Sequence, residues 1–300
     1  MDLFNNIPMK VAVVGNICKR TEIRNNKKSK QELAGSYIAA INASKLGYDT
    51  TLISRVPDNS EVIEQAKKNK IKLEKQSAWI ETIYESTYNK NDEKTTKVVS
   101  DAGPIVRVNP GNYDVVLISS YYGYVSFDVI KSLKTPNNIL CLDVQSYIKH
   151  RGDNGVLFYK PWLDKEKYLK YVDVIKLNTK ELFYLTGKIS LNSASDLLHL
   201  GPKVVILTVE NKCNYIFHDK TYLKMPFYKG KTKPKCVIGT GELYDAAFTL
   251  KYAETKDPKE AGFFAEAAVS IALERDCVKK PLSPTEVNKR FKLLKDIFLA

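Results

Sequence analysis

The chain has 300 residues, of which 44% are hydrophobic and 27% charged, a balance that supports a sizeable core and excludes an intrinsically disordered chain. Lysine and arginine outnumber aspartate and glutamate by 47 to 34, but they are spread along the chain, which argues against a nucleic-acid partner and suits a small polyanion. The sequence shows no long apolar run, signal peptide or C-x-x-C pair, which predicts a cytoplasmic protein without a membrane partner or a disulfide framework.

The beginning of the chain alternates between short apolar runs and longer segments of helical composition. Residues 9–14 (MKVAVV) form a predicted buried strand, and residues 33–46 form a predicted helix that stops at Gly47. A second strand over residues 50–56 and a second helix over residues 61–69 follow. This order predicts an α/β fold with a mostly parallel sheet.

Two segments with a different pattern interrupt this order. Residues 79–88 (WIETIYESTY) and 95–100 (TTKVVS) alternate with a period of two, and the turn-forming residues 89–92 separate them. The pattern predicts an antiparallel hairpin that has one solvated face and lies outside the parallel sheet. We interpret it as a small second layer, or lid.

The second half of the chain resumes the alternation and ends in long helices. Predicted strands and helices follow one another over residues 114–119, 127–133, 139–144, 172–177, 181–186, 204–208 and 215–218. A glycine turn then leads into a predicted helix over residues 243–252. A further helix over residues 258–274 has Asp257 as its predicted N-cap and Pro258 at its first position.

The segment most informative about chemistry is VIGTGELYDAAF, residues 237–248. Its two glycines let backbone N–H groups converge at a helix N-terminus, where the helix dipole favours an anion. Glu242 follows directly, in the position to deprotonate a hydroxyl that attacks a phosphoryl group. The alternative is a tight strand–helix turn in which Glu242 only complements the helix dipole.

A second candidate site is KLNTKE, residues 176–181. If a helix starts here, Asn178 and Glu181 face one site, where an amide and a carboxylate order water around Mg²⁺ and phosphate oxygens. The alternative is a capping box, with Asn178 as the N-cap and Glu181 at the third helical position. The three histidines are not at metal-ligand spacing, and neither a P-loop nor a hydrolase elbow motif is present.

Together, these segments resemble the ribokinase-like (PfkB) family of sugar and nucleoside kinases over nearly the whole chain. AGSYIAAINASKLGYDTTLISRV is similar to the family's substrate segment with its helix and strand, and VIGTGELYDAAF aligns without gaps on its Gly-Ala-Gly-Asp segment. The resemblance implies an α/β fold in which helices flank a central, mostly parallel sheet. It also implies a single domain over residues 1–300, with a small antiparallel β lid inserted at about residues 78–105 and residues 16–34 nearby.

The resemblance also assigns the residues of the expected site. The catalytic residues would be Glu242 as general base and Gly239, Thr240 and Gly241 as the anion hole. The acceptor would bind at Asn16, Arg20, Gly35, Ser36 and Asp143. ATP would bind at Asn178, Glu181, Thr208, Glu210 and Ala268, and the first two of these would hold Mg²⁺ through water.

The implied reaction is transfer of the γ-phosphoryl group of ATP to a hydroxyl of a sugar, cyclitol or nucleoside-like molecule. The chain departs from the family pattern, because Arg20 and Cys236 stand where aspartates are usual and Glu242 replaces a shorter aspartate. Arg20 indicates an acceptor that is anionic or is not held through vicinal hydroxyls. The alternative function is a catalytically degenerate kinase-like protein that binds nucleotide or sugar without turnover. A homodimer formed through the lid is also left open.

Overall fold

The structure is a computed structural model, and it describes residues 8–91, 93–123, 125–209, 212–227 and 239–299. The strands are β1 (Lys10–Val14), β2 (Ile17–Arg24), β3 (Lys27–Gly35), β4 (Asp49–Val56), β5 (Lys72–Ser77), β6 (Thr82–Tyr88), β7 (Lys94–Ser100), β8 (Val115–Ile118), β9 (Ile139–Asp143), β10 (Lys149–Arg151), β11 (Leu157–Tyr159), β12 (Val174–Asn178), β13 (Val204–Val209), β14 (Cys213–His218) and β15 (Thr221–Pro226). The α-helices are α1 (Ser36–Lys45), α2 (Glu61–Lys68), α3 (Phe127–Leu133), α4 (Gln145–Ile148), α5 (Lys165–Leu169), α6 (Thr179–Thr186), α7 (Leu191–Ser195), α8 (Thr240–Thr255), α9 (Pro258–Leu273) and α10 (Pro284–Leu299), and a 3-10 helix spans Asp196–Leu200.

The central sheet has the strand order β15-β14-β13-β12-β9-β8-β1-β4-β5. Strands β13 through β5 in this order pair in parallel, and only the pairs β13–β14 and β14–β15, at one edge, are antiparallel among the described strands of this sheet. The inner strands are almost wholly buried because helices cover both faces, which explains their continuous runs of valine, isoleucine and leucine. The mostly parallel sheet expected from the sequence is therefore confirmed.

The core consists of two hydrophobic clusters, one on each face of the central sheet. Along β1, Val11 and Val13 belong to the cluster that includes α1, α8 and α9, whereas Ala12 and Val14 belong to the cluster that includes α3, α5 and α6. This alternation is the period of two that a strand imposes on its side chains. Asp257 caps α9 as expected, because its carboxylate accepts from the backbone N–H groups of Lys259 and Glu260.

A second, four-stranded sheet has the order β3-β2-β6-β7 and makes no ladder with the central sheet in the part of the chain described. We call it the lid. The pairs β2–β3 and β6–β7 are antiparallel, as the hairpin pattern predicts, but β2 and β6 pair in parallel. Tyr84, Ser86 and Val98 are buried on one face of this sheet, so the predicted hairpin is confirmed over Thr82–Tyr88 and Lys94–Ser100.

The junction between the lid and α1 differs from the sequence expectation. Residues 33–35 are the end of β3, and α1 begins only at Ser36. Gly35 has a φ of 68°, and a Cβ at this residue would lie 2.4 Å from the carbonyl oxygen of Asn16. Only glycine therefore allows the chain to leave the lid and turn into α1.

Among the described residues, no helix is long and apolar enough to cross a membrane.

Candidate active site

A buried charge cluster lies where the carboxyl ends of β9 and β12 meet α8. Nζ of Lys176 lies 3.0 Å from Oδ2 of Asp143 and 3.5 Å from Oδ2 of Asp245. Burial alone would lower the pKa of Lys176, but Asp143 and Asp245, together with Glu181 and Glu242, outweigh it and raise this pKa well above its usual value. Burial raises the pKa of Asp245 well above its usual range, against the opposing charge of Lys176. Neither Lys176 nor Asp245 was predicted as a site residue.

Asp143, predicted to bind the acceptor, is held by several donors. Its Oδ1 accepts a hydrogen bond of 3.0 Å from the backbone N–H of Gln145, and its Oδ2 accepts one of 2.9 Å from the Gln145 side-chain amide. Lys176 donates to the same Oδ2. The carboxylate is thus fixed at the edge of the sheet, at the end of β9.

The glycine turn before α8 lies directly against Lys176. Gly239 has a φ of 78°, and a Cβ at Gly241 would lie only 3.0 Å from Nζ of Lys176. Thr240 is the first residue of α8, and Glu242 is buried in its first turn. The geometry therefore brings together the predicted anion hole, the predicted base and an ammonium group. Cys236 lies outside the described residues.

The charge of Glu242 also reaches the lid. Burial would lower the pKa of Arg20, but Tyr121, Cys18, Glu242 and Glu22 outweigh it and raise this pKa. Arg20 is on β2 and is 8% exposed, so its guanidinium does not point into bulk solvent. Its Cζ lies 4.6 Å from the centroid of the Tyr121 ring.

The other predicted acceptor residues meet between β1 and α1. The backbone N–H of Ser36 donates to the carbonyl of Asn16 over 3.3 Å, and the Ser36 hydroxyl donates to the carbonyl of Gly15 over 2.9 Å. The Asn16 side-chain amide donates to the carbonyl of Tyr122 over 3.2 Å. Two chain segments, one with Asn16 and one with Gly35 and Ser36, are therefore hydrogen-bonded to each other at the carboxyl end of β1.

Asn178 and Glu181 form the capping box that was the structural alternative for this motif. The Glu181 carboxylate accepts from the Asn178 backbone N–H over 2.8 Å, and the Asn178 side chain accepts from the Glu181 N–H over 2.9 Å. Burial and the charge of Asp143 raise the pKa of Glu181, and Lys176 and Lys149 partly oppose this shift. The capping box thus adjoins the buried charge cluster.

The remaining predicted nucleotide-binding residues lie at different depths. Thr208 is paired with Asn178 in the ladder between β12 and β13, so these two residues are neighbours. Ala268 is in α9 and is fully buried in the core, and Glu210 lies outside the described residues.

No group of three or more histidine, cysteine or acidic side chains suited to a metal ion occurs within the described part of the chain.

Two residues that the sequence did not single out complete this region. Lys149 is buried, and its Nζ donates to Oε1 of Gln145 over 2.7 Å and lies 3.4 Å from the centroid of the Tyr121 ring. Burial would raise the pKa of Tyr121, but Lys149, Arg20 and Lys94 together lower it to about 7. Only a clustering of cations from distant segments produces this effect, and no sequence pattern marks it.

The sequence of the chain matches the pfkB family carbohydrate kinase over residues 11–285. The chain belongs to this family. The family assignment confirms the resemblance that the glycine turn, the Asn178–Glu181 motif and the lid hairpin indicated. No curated protein gives a significant match to the chain.

Solved structures with the same fold include three instructive relatives. A pyrophosphate-dependent kinase of the ribokinase family, complexed with a pyrophosphate analog and myo-inositol, is 23% identical with a TM-score of 0.80, over 93% of this chain and 99% of that one. Arabidopsis thaliana ribokinase, complexed with ribose and ATP, is 18% identical with a TM-score of 0.76, over 95% and 99%. The nucleoside kinase of Methanocaldococcus jannaschii is 17% identical with a TM-score of 0.73, over 95% and 98%.

Proposed function

We propose that the protein is an ATP- and Mg²⁺-dependent kinase that transfers the γ-phosphoryl group to a hydroxyl of a sugar, cyclitol or nucleoside-like acceptor. The observation that carries this proposal is the buried Glu242 carboxylate in the first turn of α8, which begins at Thr240 directly after the N-cap Gly239. A carboxylate oxygen is a proton acceptor, and a helix N-terminus is where the helix dipole favours negative charge.

In the proposed reaction, Glu242 accepts the proton of the acceptor hydroxyl while the hydroxyl oxygen attacks the γ-phosphorus. The bond between this phosphorus and the leaving nucleoside diphosphate breaks. The amides of residues 239–241 stabilise the negative charge that develops on the phosphoryl oxygens. Lys176 contributes positive charge on the same side of this turn, because its Nζ lies next to Gly241.

The donor would lie along the carboxyl ends of β12 and β13. Asn178, Glu181 and Thr208 are at this edge, and we keep Glu210 and Ala268 in the proposed nucleotide-binding set. The donor set suits Mg²⁺ only through water, since one Glu181 carboxylate oxygen already accepts from Asn178. When bound, Mg²⁺ would neutralise charge on the donor's phosphate oxygens.

The acceptor would bind between the lid and the carboxyl end of β1. Asn16, Gly35 and Ser36 form one wall of this region, Asp143 lies at the end of β9, and Arg20 reaches in from the lid. In this proposal the chain is a single domain, and the lid covers the acceptor. The separate lid sheet, joined to α1 through Gly35, supports this arrangement.

We also propose that the protein forms a homodimer through the lid. Large apolar side chains are exposed in the lid strand β7 and just before β6, where Val99 and Ile80 are half-exposed and Trp79 is 99% exposed. Contiguous exposed apolar side chains are typical of protein interfaces.

A panel of donors and acceptors tests the proposed reaction. The full chain is incubated with ATP or pyrophosphate, with Mg²⁺, and with sugars, cyclitols and nucleosides, and phosphorylated product is measured by mass spectrometry. Pyrophosphate is included because the relative that binds myo-inositol is pyrophosphate-dependent. The proposal predicts a phosphorylated acceptor with ATP. Nucleotide or acceptor binding without product from either donor would contradict it and favour the catalytically degenerate alternative.

A further inference from the structure

Three cations from distant parts of the sequence surround the phenol ring of Tyr121. Measured to the ring centroid, Nζ of Lys149 lies at 3.4 Å, Cζ of Arg20 at 4.6 Å and Nζ of Lys94 at 5.9 Å. We call Arg20, Lys94 and Lys149 the Tyr121 cation cluster. The cluster lies where the lid meets the central sheet, because Arg20 is on β2, Lys94 on β7, and Lys149 follows the end of β9 through α4.

The cluster has fewer anionic partners than cations. Oε1 of Glu22 lies 3.4 Å from Nζ of Lys94 and 3.9 Å from Nε of Arg20. Within the part of the chain that is described, Lys149 has no carboxylate at ion-pair distance, and its hydrogen-bond partner is the neutral amide of Gln145. Burial accordingly lowers the pKa of Lys149, and a further anion at the cluster would oppose this shift and stabilise the charged ammonium.

Arg20 has hydrogen-bonding capacity that the protein leaves unused. Its Nε is buried and makes no hydrogen bond, and the residue is 8% exposed. A guanidinium offers a planar fork of donors that matches a carboxylate or a phosphate. The other charges that act on the cluster, from Glu181, Asp143 and Glu242, come from the catalytic side of the junction.

Tyr121 itself reports how strongly this region attracts negative charge. Burial opposes ionisation of the phenol, yet the three cations and a hydrogen bond between the Tyr121 and Thr96 hydroxyls hold the pKa of Tyr121 at about 7. In the free protein the phenolate therefore supplies part of the missing counter-charge at and above neutral pH. A bound anion would take over this role and shift Tyr121 back toward its neutral form.

We propose that the acceptor of the kinase is itself an anion, a polyhydroxylated acid or a sugar phosphate, whose charged group binds the Tyr121 cation cluster. In this proposal a hydroxyl of the same molecule is directed toward Glu242, whose charge acts on Arg20. That the bound anion is a phosphoryl acceptor rests on the proposed function, whereas the existence of the anion site does not.

Matched pairs of ligands test the anion site without requiring turnover. Calorimetric titration compares D-gluconate with D-sorbitol, for a carboxylate, and D-ribose 5-phosphate with D-ribose, for a phosphate. Inorganic phosphate alone serves as a third probe. We expect at least one anion to bind roughly 10-fold or more tightly than its neutral counterpart, since hydrogen bonds to charged groups are the stronger ones. Binding should weaken as the salt concentration rises.

Variants assign this binding to the cluster. Arg20→Gln should weaken anion binding by roughly 10-fold to 100-fold and leave neutral ligands unaffected. Arg20→Lys keeps the positive charge and should retain part of the anion affinity. This variant replaces Arg20→Gln in the test if Arg20→Gln folds poorly. Arg24→Gln is the matched control, because Arg24 is also on β2 and stacks on a tyrosine, Tyr88, outside the cluster. Anion binding to the wild type should also decrease the ultraviolet absorbance of the Tyr121 phenolate.

Three results would overturn the inference. In the first, every anion binds no more tightly than its neutral counterpart. In the second, Arg20→Gln and Arg24→Gln weaken anion binding equally. Efficient phosphorylation of neutral acceptors, without any preference for acids, would also contradict it and leave the proposed kinase function intact. Arg20-dependent anion binding without phosphoryl transfer would instead uphold the anion site and contradict the kinase function.

Discussion

Replacing Lys176 with methionine should destabilise the protein strongly, because the ammonium bridges two buried carboxylates. The side chains of Asp143 and Asp245 are 1% and 3% exposed, so water does not screen them. Asp143 would keep its hydrogen bonds from Gln145, whereas Asp245 would lose its ion-pair partner. Removing one partner of a buried ion pair costs about 3–5 kcal/mol of unfolding free energy, and we expect a loss of this size for Lys176→Met.

Urea unfolding at two pH values measures this loss. Burial already raises the pKa of Asp245 above its value in the unfolded chain, and removing Lys176 takes away the positive charge that opposes this shift. A carboxyl group whose pKa is raised by folding does not destabilise the protein below its unfolded pKa, but it does so increasingly as the pH rises toward its folded pKa. The loss of unfolding free energy in Lys176→Met should therefore be smaller at about pH 4 than at about pH 7. Adding Asp245→Asn to Lys176→Met should recover part of the stability, since the uncompensated charge is removed.

The control for this experiment is Lys72→Met. Nζ of Lys72 lies 2.8 Å from Oδ2 of Asp49, but the lysine side chain is 66% exposed. Exposed ion pairs contribute about 0–1 kcal/mol, so this variant should be nearly as stable as the wild type. Equal losses for Lys176→Met and Lys72→Met would refute the reasoning that burial sets the strength of the Lys176 interactions.

Three further predictions concern titration and assembly. The absorbance of the Tyr121 phenolate should titrate with a midpoint near pH 7 and disappear in Tyr121→Phe, and a midpoint near pH 10 would contradict this prediction. Because the pKa of Tyr121 is lower in the folded than in the unfolded protein, the contribution of Tyr121 to stability should grow as the pH rises from 7 toward 10. Burial raises the pKa of Glu266 to about 8, although the hydrogen bond from Asn214 opposes this shift. The wild type should therefore lose stability as the pH rises toward 8, and Glu266→Gln should not. Identical pH profiles of the two proteins in urea unfolding would exclude this prediction. Light scattering should detect a dimer that Trp79→Ser weakens while the exposed Leu163→Ser does not, and a monomeric wild type would rule out the lid interface.

The elements that the sequence predicted well are those that a strong local signal defines. The strands near residues 9–14 and 139–144 are continuous apolar runs, and α9 has its own cap in Asp257 and Pro258. The local pattern did not predict strands β2, β3 and β5, because they are rich in charged residues and lie in the lid or at a sheet edge; only the family resemblance placed residues 16–34 near the lid. Their strand conformation depends on pairing with distant segments, which local pattern does not encode.

The same distinction between local and long-range signals applies to the residues of the candidate site. The glycine turn and Glu242 were predicted because consecutive residues carry that signal. Lys176 was not, since nothing in the sequence shows that a lysine is buried between Asp143 and Asp245, which lie 33 and 69 positions away along the chain. The Tyr121 cation cluster is likewise assembled only when the lid packs against the end of the central sheet.

The measurement that tests the central claim most directly is phosphoryl transfer by Glu242→Gln. With the best donor and acceptor from the panel, its turnover should fall by roughly 10²-fold or more while binding of both ligands persists, as expected when a general base is lost. Glu242→Asp should retain turnover, because it preserves the carboxylate. Glu254→Gln, on the exposed end of the same helix, is the matched control and should have wild-type activity. Turnover that survives Glu242→Gln unchanged would contradict the account.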